Sequence, residues 1–180
     1  MDLIISKLIS KGKGIFAADE SVNTMGKRLK SINIDNTLEY RTKWRQLICT
    51  TNSLENYISG IILSEETLNT KINSIPIFQN LKNKGIIIGV KADQGLIPLS
   101  GTTNEQITKG LDSLEERCEE YYKMGVKFTK WRVVFNIGKD TPSQLLIDSN
   151  IESDSSKIIG FFDKILKNNS INDENLNLIK

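Results

Sequence analysis

The sequence contains no histidine. The side chain that most often shuttles protons near neutral pH is therefore missing, and acid–base work falls to Asp, Glu, Lys or Tyr. Ser-His-Asp and Cys-His arrangements are excluded within the chain. Cysteine is nearly as scarce, with Cys49 and Cys118 far apart and no CxxC spacing. Neither a disulfide nor a zinc site is expected, and both cysteines read as small hydrophobes in helices. Long apolar runs are also absent. The opening stretch MDLIISKLISKGKG is broken by Asp2, Ser6 and Lys7, which suits neither a signal peptide nor a membrane span and sets a cytoplasmic expectation. Charge of one sign is lacking too: 24 Lys+Arg against 22 Asp+Glu leave +2, too balanced for a nucleic-acid partner. Any phosphate chemistry is local, and no metal, cofactor or membrane partner is expected.

What is present suits one globular core: 180 residues, 38% hydrophobic and 26% charged. Four short apolar runs read as buried strands: GIFAAD (14–19), YISGIILS (57–64), GIIIGVKAD (85–93) and FTKWRVVF (128–135). Between them, 37–50, the stretch around 66–71, and 104–124 have helical character; in the last, Ile107, Leu111, Leu114 and Cys118 recur at helical spacing. Alternating strands and helices predict an α/β fold built from βα units around a parallel sheet, with a doubly wound sheet and a barrel both open. From Asp148 the character changes. DSNIESDSS is polar, KIIGFFDKILKNN suits an amphipathic helix, and the Asn-rich end is expected to fray, which divides the chain into 1–147 and a tail at 148–180.

Charged residues gather where strands meet their loops: Asp19 and Glu20, Lys91 and Asp93, Lys130 and Arg132. In a barrel these ends form the active face. Asp19 and Glu20 either occupy a confined site or cap the next helix. Lys27 and Arg28 either hold a phosphate or are solvated helix charges. An ion pair between Asp93 and a neighbouring lysine would explain part of the convergence without any substrate. Lys130 lies inside its run, and a lysine there needs a partner or a task. Trp44, Trp131, Tyr121 and Tyr122 read as packing residues.

Taken in order, GKGIFAADES, KRLKSI, RQL, SGIILSEETL, GVKADQG, TKGLDSLEERCEEYYKMG, KFTKWRVVFNIG and TPS resemble class I fructose-bisphosphate aldolase from about Ser10 to about Ser143. The resemblance implies the first four βα units of a (β/α)₈ TIM barrel. It also implies a glycolytic lyase acting on fructose 1,6-bisphosphate, or a related sugar phosphate, through a Schiff base. By resemblance, Asp19 is the aspartate that assists proton transfer and carbon–carbon cleavage, and Lys130 stabilises negative charge on substrate oxygen. Lys91 and Arg132 line the site and hold a phosphate end with Ser21 nearby, and Arg28 and Arg41 match substrate-binding arginines.

The resemblance then stops. The GxxVPIVEPE strand has no recognisable counterpart, and the LLKPN strand with the Schiff-base lysine, the SGGQ loop and the C-terminal tyrosine are absent; Thr24 stands where serine is usual and Gln94 where lysine is usual. This implies a truncated chain without turnover, since the Schiff base is the electron sink for metal-free cleavage. A second reading is a half-barrel pseudoenzyme that binds sugar phosphate or protein. Its unpaired edges would be expected to pair with a second copy or with a full-length aldolase.

Overall fold

The computed structural model describes residues 2–152. They fall into two compact units, one made of the chain up to Lys91 with Met124–Lys130, the other of Ala92–Lys123 with the segment from Trp131 onward. The tail helix expected from KIIGFFDKILKNN, and the expected fraying beyond it, lie outside the described residues.

In chain order the first unit holds helix α1 (Asp2–Leu8), strand β1 (Gly14–Ala18), α2 (Val22–Lys30), α3 (Leu38–Thr50), β2 (Ile58–Leu63), α4 (Glu65–Asn69), the short strands β3 (Lys71–Ile72) and β4 (Ile75–Pro76), α5 (Gln79–Asn83) and β5 (Ile87–Lys91). The second unit contributes β6 (Leu96–Pro98), β7 (Gln106–Thr108), α6 (Leu114–Met124) and, after β8 (Phe128–Lys130) has returned the chain to the first unit, α7 (Gln144–Glu152). The helix α7 runs through the position where the sequence changes character. Among the described residues no helix is long and apolar enough to cross a membrane.

The first unit is organised by a four-stranded sheet in the order β1-β2-β5-β8, every neighbouring pair parallel. Strand order follows chain order without reversal. That resolves the alternative left open by the sequence pattern: a doubly wound sheet turns back by its third or fourth strand and places it on the far side of the first, whereas four parallel strands in unbroken chain order are the winding of the first half of a TIM barrel. The inner strands β2 and β5 are buried almost throughout, with Ile61, Leu63 and Val90 fully enclosed, as continuous β-branched and leucine runs require when both faces are covered. Each such side chain contributes about 1.5–3 kcal/mol relative to exposure. β1 is different. Its Ile15 and Phe16 remain 47% and 40% exposed, and among the described residues β1 and β8 each pair on one side only.

Two βα turns repeat one device. β1 and β2 each run into a serine that caps the next helix: Ser21 Oγ accepts from Thr24 N–H, and Ser64 Oγ from Thr67 N–H. Thr37 caps α3 in the same way. These bonds satisfy N–H groups that a helix start leaves without an intrahelical partner.

Two expected elements are shorter than the sequence pattern suggests. The fourth run forms a strand only over Phe128–Lys130. Its ladder partner β5 ends at Lys91, opposite Lys130, so the chain beyond has no edge to pair with. Trp131 instead packs in the second unit on the cluster of Ala92, Leu114 and Cys118, and the Thr108 hydroxyl donates to the Arg132 carbonyl. Lys130 is therefore the last strand residue, not an interior one. Likewise 104–124 is helical only from Leu114. Ile107 lies in an antiparallel ribbon of β6 and β7, extended by Gln94 N–H to Lys109 O and Lys109 N–H to Gly95 O. Gly110, at φ +117°, then turns the chain in a way a helix cannot accommodate.

Candidate active site

In a parallel sheet every strand ends at the same edge, so the residues following β1, β5 and β8 are brought together by topology. At that edge Lys130 Nζ donates to Asp19 Oδ2 at 2.7 Å. β1 and β8 are the two outer strands, so this contact shows how strongly the sheet curls: side chains from opposite edges meet over its concave face. Asp19 is nearly enclosed, its side chain 8% exposed, while Lys130 keeps 37% exposure. The carboxylate is thus held in a fixed place and the ammonium faces solvent.

Lys91 ends β5 in register with Lys130. Two lysines on adjacent strands stand about 4.8 Å apart at their backbones, and like charges directly opposite one another are destabilising unless an anion offsets them. For Lys130 that anion is Asp19.

Behind Asp19, the next residue is locked. Arg45, on α3 and 4% exposed, donates from Nη1 to Glu20 Oε2 at 2.5 Å and from Nη2 to the Glu20 carbonyl at 3.3 Å. Arg28 donates to the other carboxylate oxygen of Glu20. Burial works against the charged form of Glu20, but the Arg45 hydrogen bond, its own backbone N–H and the two guanidinium charges outweigh it and hold the carboxyl below the ordinary range. The effect is to fix the backbone that carries Asp19.

The remaining sequence-predicted residues have these places. Ser21 is the α2 cap, within 3.0 Å of the Thr24 hydroxyl, so neither Asp19 nor Glu20 caps that helix. Arg28 is half-exposed and engaged with Glu20. Arg41 is occupied on the sheet's flank: its Nε and Nη2 bind Glu66 at 2.9 and 2.8 Å, and Nη1 reaches Asn36 Oδ1 at 2.9 Å. The Glu66 hydrogen bond raises its pKa further above an already basic value. Arg132 belongs to the second unit, where its guanidinium lies 3.9 Å from the buried Asp93 carboxylate. Asp93 Oδ1 also accepts from Gly95 N–H at 3.1 Å.

The sequence reasoning missed Arg45 and Glu66. The signal for Arg45 was present: Arg41, Arg45 and Cys49 recur at four-residue spacing, which puts an arginine on the face of α3 that buries a cysteine. Cys49 and Cys118 are free and buried, as expected, and burial pushes both thiols up to about 11 against weak opposing pulls from Arg45 and Arg117.

Comparison with known proteins gives a consistent result. The profile of the family described as fructose-bisphosphate aldolase class-I matches residues 1–156. The chain is 48% identical over 149 residues to the muscle-type fructose-bisphosphate aldolase of Lethenteron camtschaticum and, over the same number of residues, 48% identical to fructose-bisphosphate aldolase B of Oryctolagus cuniculus. Each match covers 82% of this chain and 41% of the relative, so the chain spans less than half the length of the relatives it matches. In structure it resembles fructose-bisphosphate aldolase from Plasmodium falciparum, solved in complex with TRAP and a small molecule inhibitor. The TM-score is 0.77 at 46% identity, over 81% of this chain and 43% of that one.

Proposed function

We propose, from the premise that this chain belongs to the class I fructose-bisphosphate aldolase family, that its strand-end edge is the charge-handling part of a Schiff-base aldolase site for fructose 1,6-bisphosphate or a related sugar phosphate. The observation that carries the proposal is the 2.7 Å contact between the solvent-facing Lys130 ammonium and the enclosed Asp19 carboxylate, with Lys91 in register beside it.

Cleavage of a β-hydroxy carbonyl needs a base for the hydroxyl proton, a cation for the charge that develops on oxygen, and an electron sink for the carbon–carbon bonding pair. Asp19 serves as the base-side group and Lys130 as the cation, because an approaching substrate oxygen can take the ammonium away from the carboxylate and leave Asp19 ready to accept a proton. By the family resemblance Lys91 and Arg132 are given to a phosphate end and Ser21, Arg28 and Arg41 to substrate binding; Arg28 and Arg41, engaged by Glu20 and Glu66, would have to exchange those partners for substrate. In this reading the electron sink, an imine on a lysine, comes from the family's LLKPN strand, which has no counterpart in these 180 residues. Lys91 and Lys130 stand in the places of charge partners, so the chain taken alone binds substrate without turning it over. A glycolytic, cytoplasmic role follows from the same reading.

The test is fructose 1,6-bisphosphate cleavage by the purified 180-residue chain, coupled to triose-phosphate detection, with borohydride trapping and mass spectrometry. No turnover and no adduct is the expected result. A trapped imine on Lys91 or Lys130 overturns the division of labour.

A further inference from the structure

Arg132, which the proposed function gives to a phosphate end, lies beyond the end of β8 and is placed by another part of the second unit. Trp131 before it packs on Ala92, Leu114 and Cys118. The Thr108 hydroxyl donates to the Arg132 carbonyl, and Arg132 Nη2 lies 3.9 Å from Asp93 Oδ1. Ala92, Asp93 and Thr108 belong to one excursion of the chain, which leaves β5 at Ala92, runs out and back as β6 and β7, and turns toward α6 at Gly110. The feet of that excursion therefore govern where Arg132 stands.

One side chain grips both feet. Arg117, partly buried on α6, donates from Nη1 to the Ala92 carbonyl at 2.9 Å and from Nη2 to the Gly110 carbonyl. Both bonds go to backbone rather than to a carboxylate, and its Nε is buried without a hydrogen-bond partner. A buried donor left unmade costs free energy that a solvated helix arginine would avoid, so the two carbonyl bonds are what hold the guanidinium here. Its planar fork suits the task, since two donors in fixed geometry can span two acceptors. The feet are close at this point: a Cβ on Gly110 would stand 3.0 Å from the Gln94 nitrogen. Beside the clasp, Gln94 N–H donates to the Lys109 carbonyl and Lys109 N–H to that of Gly95. The fully enclosed Asp93 side chain accepts from Gly95 N–H.

We propose that Arg117 is the positioning residue for the phosphate end of the site. By joining Ala92 to Gly110 it fixes the stretch that holds Arg132, and it does so without touching substrate. The inference rests on the reading of Arg132 as a phosphate-binding cation.

The test is a double-mutant cycle in the 180-residue chain, with fructose 1,6-bisphosphate affinity read by NMR titration. Arg117→Gln is expected to weaken binding about tenfold, and to weaken it no further in an Arg132→Gln background, because a residue acting through Arg132 then has nothing to act on. Arg117→Lys keeps the charge but cannot span both carbonyls; it is expected to lose part of the affinity, and it serves if Arg117→Gln folds poorly. Two readouts need no ligand. Amide exchange at Gln94 and Lys109 is expected to quicken in either variant while Ile61 and Val90 in the sheet keep their protection, and the Arg132 Nε–H resonance is expected to shift. Additive losses in the double variant, an unmoved Arg132 resonance, or exchange that quickens equally in sheet and ribbon overturns the proposal. A parent chain that does not bind fructose 1,6-bisphosphate overturns the proposed function instead, and the two ligand-free readouts then still decide whether Arg117 controls Arg132.

Discussion

Removing the Glu20 carboxylate leaves the buried Arg45 guanidinium without its partner, and a buried charge deprived of its counterion is among the costlier single changes a protein can suffer. Glu20→Gln is expected to lower the unfolding free energy by about 3 kcal/mol at neutral pH, a large share of the roughly 5–15 kcal/mol typical of a domain. The effect has a pH signature. Because the folded-state pKa of Glu20 lies below the unfolded value near 4.5, its contribution is complete above that value and is lost as the pH falls through the lower, folded one. Urea denaturation of parent and variant should show a gap at pH 7 that closes as the pH drops below about 4; a gap independent of pH would contradict the assignment. The cysteines give a second check. With both thiols raised to about 11 by burial, native protein at pH 8 should react with a thiol reagent far more slowly than the urea-unfolded chain. Fast labelling of the native state would contradict their placement. At this scale Asp19, Lys91 and Lys130 stood out in the sequence as charges at the end of, or inside, apolar runs, although Lys130 was read as interior where it ends its strand. Arg45 was not, because a charged residue in a helix is by default solvated, and only its spacing from Cys49 marks it as buried.

Elements were read well where one signal dominated. GIFAA, ISGIIL and IIGVK are strands, and Thr37 caps a helix that runs to Thr50 as its pattern predicts. Reading failed where tertiary pairing decided the outcome. Ile107, Leu111 and Leu114 keep helical spacing, yet the backbone of Lys109 is taken by Gln94 and Gly95, and β-branched Ile107 and Thr108 suit the ribbon better than the helix. FTKWRVVF stops being a strand at Lys130 because its partner strand stops, which no local pattern reveals. Glycines inside strands were a signal left unused. Gly89 sits opposite Phe128 in the ladder, and a Cβ there would have three carbons of that ring within 2.6 Å. Gly89→Ala is therefore expected to destabilise by about 1–3 kcal/mol through overpacking, measured as a lowered urea midpoint with unchanged slope. A neutral result would mean the ring is free to move aside.

For the molecule as a whole, the order β1-β2-β5-β8 is what the family's first four βα units require, and the resemblance over the chain reached that order before periodicity could. Periodicity alone could not choose between winding patterns, since both use the same βα repeat. The open order has a consequence in solution. Ile15 and Phe16 stand exposed on the outer strand β1, so the chain is expected to self-associate with concentration in sedimentation velocity, and Phe16→Lys to reduce that association. A monomer at all concentrations would mean that this edge is covered. The central claim is that the edge carrying Asp19, Lys91 and Lys130 handles the charge of a sugar phosphate. Its most direct test is an NMR titration of the 180-residue chain with fructose 1,6-bisphosphate, following backbone amides and lysine side chains. The account predicts saturable shifts centred on Asp19, Lys91 and Lys130 that vanish in Lys130→Met; shifts absent from that edge, or unchanged by the substitution, would contradict it.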